Sequence, residues 1–93
     1  AVKDLIGREI LYSGRVQGVG FRQSVSTLAM RQHVDGFVQN LENGKVRLVV
    51  EGECGKVDDL LEDVRTLWGH SISDIQITDL QTIGNLVGFS VRY

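Results

Sequence analysis

The sequence GRVQGVGFR, at residues 14–22, lies between an apolar run and a segment with helical spacing. Gly14, Gly18 and Gly20 bring three glycines into this short stretch. Glycine adopts positive φ at little cost, so the backbone can turn tightly with its N–H groups on the inner side. Such a row of donors before a helix N-terminus attracts anions, and Arg22 adds a planar fork of donors that matches phosphate or carboxylate. The stretch therefore predicts a strand, an anion-binding loop and a helix.

A glycine-rich connection with one arginine also fits an ordinary structural loop, and most such loops bind nothing. Two familiar phosphate-binding loops are excluded. No Gly-Lys-Ser/Thr sequence follows the glycines, so the loop is not of the Walker type. The chain of 93 residues is also too short for the dinucleotide-binding fold that carries a GxGxxG motif.

The composition is that of an ordinary globular domain, with 42% hydrophobic and 24% charged residues. Its length predicts one domain over residues 1–93, with residues 1–7 as an N-terminal arm. The net charge of −2 argues against nucleic-acid binding, which requires a basic surface. Because no apolar run approaches the length of a bilayer span, we expect no membrane association.

The residues that most often bind metals are scattered. Cys54 is the single cysteine, so it cannot form an internal disulfide, and a lone thiol fits a reducing, cytoplasmic location. His33 and His70 lie at no metal-ligand spacing from it. The acidic run at residues 58–63 predicts a solvated helix face. We therefore expect no metal, and no nucleophilic role for Cys54.

Hydrophobic periodicity predicts five strands and two helices. The predicted strands span residues 8–13, 37–41, 45–51, 74–83 and 87–93. The predicted helices span residues 21–32 and 56–68, the second with an apolar stripe that extends to Leu67 and Trp68. Loops are predicted at residues 52–55 and 70–73, and a turn at residues 84–85. Asn43 and Gly44 predict a tight hairpin between the second and third strands.

The order β-α-β-β-α-β, with a further terminal strand, predicts a ferredoxin-like α+β fold. In that fold an antiparallel sheet carries two helices on one face, so that both layers bury their apolar sides.

Three segments, GRVQGVGFR at residues 14–22, GFVQNLENGKV at 36–46 and FSVRY at 89–93, resemble the acylphosphatase family in order and spacing. The resemblance covers nearly the whole chain. It implies a hydrolase that cleaves the carboxyl–phosphate anhydride bond of acyl phosphates without a metal or an organic cofactor. A carboxylate and inorganic phosphate are the products.

The resemblance also implies roles for individual residues. Arg22 matches the family's phosphate-binding arginine, and Asn40 matches the asparagine that orients the attacking water. The positions that match the backbone N–H cradle for phosphate are Val16, Gln17, Gly18, Val19, Gly20 and Phe21. We expect the Gln17 side chain to brace this loop. Leu41 and Ser24 depart from the residues that are common in the family at their positions.

The implied partners are an acyl phosphate substrate and inorganic phosphate, as product and inhibitor, for a monomeric cytoplasmic enzyme. A second hypothesis is a non-enzymatic phosphate-binding or regulatory domain of the same fold, like the module of larger carbamoyl-transfer maturation proteins. A third is a ferredoxin-like RNA-binding module, which would require exposed aromatic residues and a basic face. The 6% aromatic content and the net charge argue against the third.

Overall fold

The computed structural model describes residues 5–81 and 86–92. Its elements follow the predicted order. They are β1 (Leu5–Gly14), α1 (Phe21–Gln32), β2 (Asp35–Asn40), β3 (Val46–Glu53), α2 (Cys54–Trp68), β4 (Ile72–Leu80) and β5 (Phe89–Arg92). Four predicted segments lie wholly or partly outside the described residues. They are residues 1–4 of the predicted arm, residues 82–83 of the predicted fourth strand, the predicted turn at residues 84–85 and the last residue of the predicted final strand.

The five strands form one sheet in the order β4-β1-β3-β2-β5. Three of the neighbouring pairs are antiparallel, whereas β2 and β5 are parallel. The prediction of an antiparallel sheet is therefore wrong for the pairing of β2 with β5. Gly36 N–H donates to Gly88 O at 3.0 Å, and Gly88 N–H donates to Asp35 Oδ1 at 2.9 Å. These bonds bring the chain into β5 beside the start of β2, so both strands run in the same direction.

Both helices contribute to a core on one face of the sheet, which confirms the ferredoxin-like α+β prediction. The residues of β3 on this face, Val46, Leu48 and Val50, are fully buried, as their alternation predicts. Residues that α1 and α2 bury against the sheet are Phe21, Val25, Leu28, Ala29, Val57, Leu60, Leu61 and Val64. Trp68 packs at the margin of this core, but Leu67 is 53% exposed, so the predicted stripe includes one residue too many.

Several predicted boundaries are wrong by a few residues. Residues 5–7 belong to β1 rather than to an arm, because Leu5 pairs with Glu53 and Gly7 with Glu51. The predicted loop at 52–55 does not exist, since β3 continues to Glu53 and α2 begins at Cys54. Glycines in this segment indicated a loop, but pairing with β1 keeps the backbone extended. β5 also starts two residues later than predicted.

The topology brings three strand ends together. β1 and β2 both run antiparallel to β3, and β5 runs parallel to β2, so these three strands point the same way. Their C-terminal residues, Gly14, Asn40 and Arg92, therefore lie at the same end of the sheet. The glycine loop before α1 begins at this end, and the hairpin turn after β2 closes there through a bond from Leu41 N–H to Lys45 O at 2.8 Å.

Candidate phosphate-binding site

The glycine loop is anchored to the sheet at its start. Gly14 has φ of +121°, and a Cβ there would lie 2.3 Å from Ser71 O, so only glycine fits without a shift of the backbone. Arg15 N–H donates to the same carbonyl at 2.8 Å. Val16 is buried, with 1% of its surface exposed. These contacts give the loop a fixed origin.

The loop ends at an open helix N-terminus. Gly20 is the N-cap of α1 with φ of +87°, and no side chain forms a capping hydrogen bond there. The first turn contains no acidic residue. Phe21, the first helical residue, is fixed by edge-to-face contacts with Tyr12 and Trp68, at centroid distances of 5.2 and 5.4 Å. The first N–H groups of a helix have no intrahelical acceptor, so this rigid end can donate to an anion.

A small cavity of about 140 Å³ lies at this helix end. Its lining residues are Val16, Gly18, Gly20, Phe21, Arg22, Gln23, Asn40 and Val91. The structure thus brings six of the eight predicted site residues to one cavity. Drug-sized ligands generally need more than about 300 Å³. The volume therefore suits a small anion better than a large organic molecule.

Two predicted cradle residues do not line the cavity. Val19 is 41% exposed and lies outside the lining. Gln17 instead extends its side chain to the hairpin after β2, where Nε2 donates to Leu41 O at 2.8 Å and to Lys45 O at 3.0 Å. The prediction that Gln17 braces the loop is confirmed.

Arg22 carries the one charged side chain among the lining residues that the structure describes. It is half-buried, and Nη1 donates to Arg92 O at the end of β5 at 2.9 Å. This bond fixes one side of the guanidinium against the sheet. None of the lining residues that the structure describes carries a carboxylate.

Asn40 occupies the last position of β2, on the same face as the buried Val38. Its Oδ1 atom is buried and accepts no hydrogen bond from the described residues. A buried amide oxygen without a donor costs about 1–3 kcal/mol. The side chain is therefore suited to a polar ligand in the cavity that donates a hydrogen bond.

Sequence reasoning missed Gln23 and Val91 as lining residues. Gln23 lies in the first turn of α1, directly after Arg22, so proximity to the helix N-terminus could have indicated it. Val91 and Phe89 lie on the same, helix-facing side of β5. The place of Val91 beside the cavity depends on the parallel pairing of β5 with β2. No local pattern predicts that pairing.

The remaining polar candidates form no comparable site. The Cys54 thiol donates to Asp58 Oδ2 at 3.7 Å, and Asp58 forms an ion pair with Arg8 at 2.7 Å. Within residues 5–81 and 86–92, no group of three or more acidic, histidine or cysteine residues could hold a metal ion. A larger groove of about 720 Å³ lies between α2 and β4, but it contains none of the predicted site residues. None of the described helices is long and apolar enough to cross a membrane.

The acylphosphatase family profile matches residues 8–91. The chain belongs to the acylphosphatase family. It is 39% identical over 87 residues to an acylphosphatase of Methanocella arvoryzae, across 90% of this chain and 96% of that protein. The prediction of an enzyme of the acylphosphatase type is therefore confirmed.

Solved structures show the same fold. The crystal structure of the Bacillus subtilis acylphosphatase aligns with a TM-score of 0.85 and 29% identity, over 95% of this chain and 99% of that one. A full-length HypF, in a phosphate- and nucleotide-bound form, aligns with a TM-score of 0.86 and 26% identity. That alignment covers all of this chain but 12% of HypF, so the fold also occurs as a small part of a larger protein.

Proposed function

We propose that this acylphosphatase hydrolyses acyl phosphates in the cavity at the N-terminus of α1. The observation that carries the proposal is that three groups suited to an acyl phosphate and a water molecule lie in the same cavity. One small cavity holds the open helix N-terminus, the Arg22 side chain and the buried Asn40 Oδ1 atom, which accepts no hydrogen bond from the residues that the structure describes. The first two groups favour a phosphoryl dianion, and the third favours a water molecule.

In the proposed binding step, the N–H groups of the loop and of the first helical turn donate to the phosphoryl oxygens. Arg22 adds charge-assisted hydrogen bonds, which are stronger than those between neutral groups. These donors are fixed before the substrate arrives, because the loop is anchored at Gly14 and Phe21 is packed into the core. Preorganised donors of this kind stabilise the charge that the equatorial oxygens carry in the transition state.

In the proposed chemical step, Asn40 Oδ1 accepts a hydrogen bond from a water molecule and aligns its oxygen with phosphorus. The oxygen forms a bond to phosphorus while the bond between phosphorus and the carboxyl oxygen breaks. The carboxylate leaves with the bonding electron pair, and the second proton of the water passes to a phosphoryl oxygen. The products are a carboxylate and dihydrogen phosphate. Because a carboxylate is a weak base, its departure needs little help from an acid.

Among the described residues, the lining has no side chain that could act as a general base, which is consistent with proton transfer to the substrate's own phosphate. Catalysis would then depend on orientation and electrostatics. Orientation of reacting groups can contribute about 7–11 kcal/mol to lowering a barrier. This makes the placement of Asn40 relative to the cradle the decisive geometric quantity.

The test is hydrolysis of benzoyl phosphate by the purified chain in the presence of EDTA. We expect turnover that EDTA does not reduce. Asn40→Ala should lower kcat by about 100-fold or more, while KM changes little, because the lost contact acts on the water rather than on the phosphate. Gln39→Ala is the matched control, since Gln39 is the neighbour of Asn40 on the opposite face of β2. Equal losses in both variants would contradict the role of Asn40.

The alternative function is phosphate binding without hydrolysis. The observation that favours it is the match to a small part of HypF, which shows that this fold also serves within larger proteins. In that case calorimetry would detect phosphate binding that Arg22→Gln weakens, while the unmutated chain would leave benzoyl phosphate intact.

A further inference from the structure

The Gln17 side chain connects the glycine loop to the hairpin that follows β2. One nitrogen atom, Nε2, donates both of its hydrogens, to Leu41 O at 2.8 Å and to Lys45 O at 3.0 Å. Both bonds are partly buried, and they join residues that are 24 and 28 positions apart in the sequence. Partial burial shields such bonds from competition with water.

The two carbonyls that Gln17 contacts are those that close the hairpin turn. Lys45 O also accepts from Leu41 N–H at 2.8 Å, and Leu41 O accepts from Gly44 N–H at 3.2 Å. Gln17 therefore adds a second hydrogen bond to each carbonyl. If its side chain lost these donors, each carbonyl would keep its bond within the turn, so the hairpin itself would persist.

The positions of these bonds along the chain connect the two halves of the site. The backbone of Gln17 lies between Val16 and Gly18, which both line the cavity. Leu41 directly follows Asn40, whose side chain also lines it. Lys45 O, which accepts from Gln17, also accepts from Leu41 N–H, and this N–H belongs to the peptide unit between Asn40 and Leu41. A movement of Lys45 O therefore tilts the peptide unit next to Asn40. The Gln17 amide thus restrains Asn40 with respect to the loop.

We propose that Gln17 is a positioning residue, which sets the distance and angle between the phosphate cradle and the Asn40 amide. This inference rests on the proposed function, since it assigns Gln17 an effect on the step in which Asn40 orients water. The backbone at Gln17 supports the cradle, and its side chain supports the water-orienting half.

The first test is Gln17→Leu, which removes both donors at similar size. Because displacement of a reacting group by about 1 Å can cost about 100-fold in rate, we expect kcat to fall by about 10- to 100-fold. KM and the inhibition constant of inorganic phosphate should change by less than about threefold, since Arg22 and the backbone donors remain. Gln76→Leu, at an exposed position of β4, is the matched control and should have unchanged kinetics. An unchanged kcat in Gln17→Leu would overturn the inference.

A double-mutant cycle separates positioning from general damage. If Gln17 acts through Asn40, the variant with both Gln17→Leu and Asn40→Ala should turn over no more slowly than Asn40→Ala alone. Additive losses in kcat would mean that Gln17 acts independently of Asn40, and would overturn the inference.

A third measurement does not depend on turnover. The side-chain NH₂ signals of Asn40 in a ¹⁵N spectrum can be assigned by their absence from Asn40→Ala. They should shift or broaden in Gln17→Leu and remain in place in Gln76→Leu. Unmoved signals would overturn the positioning role. If the unmutated chain left benzoyl phosphate intact while these signals shifted in Gln17→Leu, the proposed hydrolysis would fail but the restraint on Asn40 would stand.

Discussion

The Arg22 side chain lines the cavity and also donates a hydrogen bond to the Arg92 carbonyl. We predict that Arg22→Gln raises KM for benzoyl phosphate by about 10- to 100-fold, because a hydrogen bond to a charged group contributes about 1.5–3 kcal/mol. The inhibition constant of phosphate should rise in parallel. Arg31→Gln, at an exposed position in the last turn of the same helix, is the control. An unchanged KM in Arg22→Gln would remove Arg22 from the binding site.

Gly14 and Gly55 offer a pair of glycines with opposite expected effects. Gly14→Ala should lower the free energy of unfolding by more than about 2 kcal/mol, because the new Cβ meets Ser71 O at 2.3 Å and φ is +121°. Gly55→Ala should raise it by about 0.5–1 kcal/mol, because Gly55 is helical and a Cβ there meets nothing within 4 Å. Urea unfolding of both variants measures these changes. A stable Gly14→Ala protein would show that the loop origin can move.

At the same scale, the sequence predicts some site residues better than others. The glycines and Arg22 have a physical signature, since positive φ, tight turns and a guanidinium indicate an anion. Asn40 has none of its own, because an asparagine before a hairpin is ordinarily a turn residue. Its assignment came from the family resemblance. The burial of its Oδ1 atom depends on the packing of strands that are distant in sequence, which no local pattern contains.

At the scale of the elements, one hydrogen bond joins the two helices. Trp68 Nε1 donates to Ser24 Oγ at 2.9 Å, so the last residue of α2 is joined to the first turn of α1. The Ser24 hydroxyl therefore has a structural partner in α2. We predict that Ser24→Ala lowers the free energy of unfolding by about 1 kcal/mol, because the indole N–H loses its acceptor. Urea unfolding measures the loss, and the fluorescence of Trp68, the single tryptophan, reports the change at the contact.

Thr27→Ala is a suitable comparison for Ser24→Ala. The Thr27 hydroxyl donates to Gln23 O within the same helix at 3.1 Å and is exposed, so its removal should cost less. Equal effects of the two substitutions would show that the bond between α1 and α2 adds no more stability than the exposed bond within α1.

The helices and strands were predicted best where the apolar residues follow a single helical or strand spacing. Both ends of α1 were predicted as observed, because its apolar positions recur at helical spacing between the glycine loop and a C-cap at His33. The prediction of a loop at residues 52–55 was wrong, because glycine is rare in strands and the sequence of this segment does not show that it pairs with β1. That pairing keeps the backbone of residues 52 and 53 extended. The parallel placement of β5 was also missed. It depends on the hydrogen bonds that bring the chain back to the start of β2, and these join residues that are far apart in the sequence.

At the scale of the whole molecule, the buried Tyr12 makes the free energy of unfolding decrease at alkaline pH. Burial raises the pKa of the Tyr12 hydroxyl above its ordinary value of about 10, although the charge of Arg65 opposes the shift. The folded state therefore favours the neutral phenol. The contribution of Tyr12 to the free energy of unfolding is fully present below about pH 10. It falls above that pH, where the unfolded chain releases the phenolic proton and the folded chain does not.

We predict that the free energy of unfolding falls between about pH 9 and about pH 11 more steeply in the unmutated chain than in Tyr12→Phe. Urea unfolding at the two pH values measures the difference, and the phenylalanine variant controls for lysines and other groups that titrate in the same range. Parallel declines in the two proteins would mean that Tyr12 does not contribute.

The placement of β5 next to β2 has a consequence for how the protein is made. The bond between Arg22 and Arg92 joins residues that are 70 positions apart, so this bond cannot form until β5 has been synthesised. A ribosome that has translated through α2 has already delivered the glycine loop, the hairpin and Asn40, but the strand that supports Arg22 and supplies Val91 is still to come. A nascent chain can therefore acquire most of its core before it can acquire a complete site.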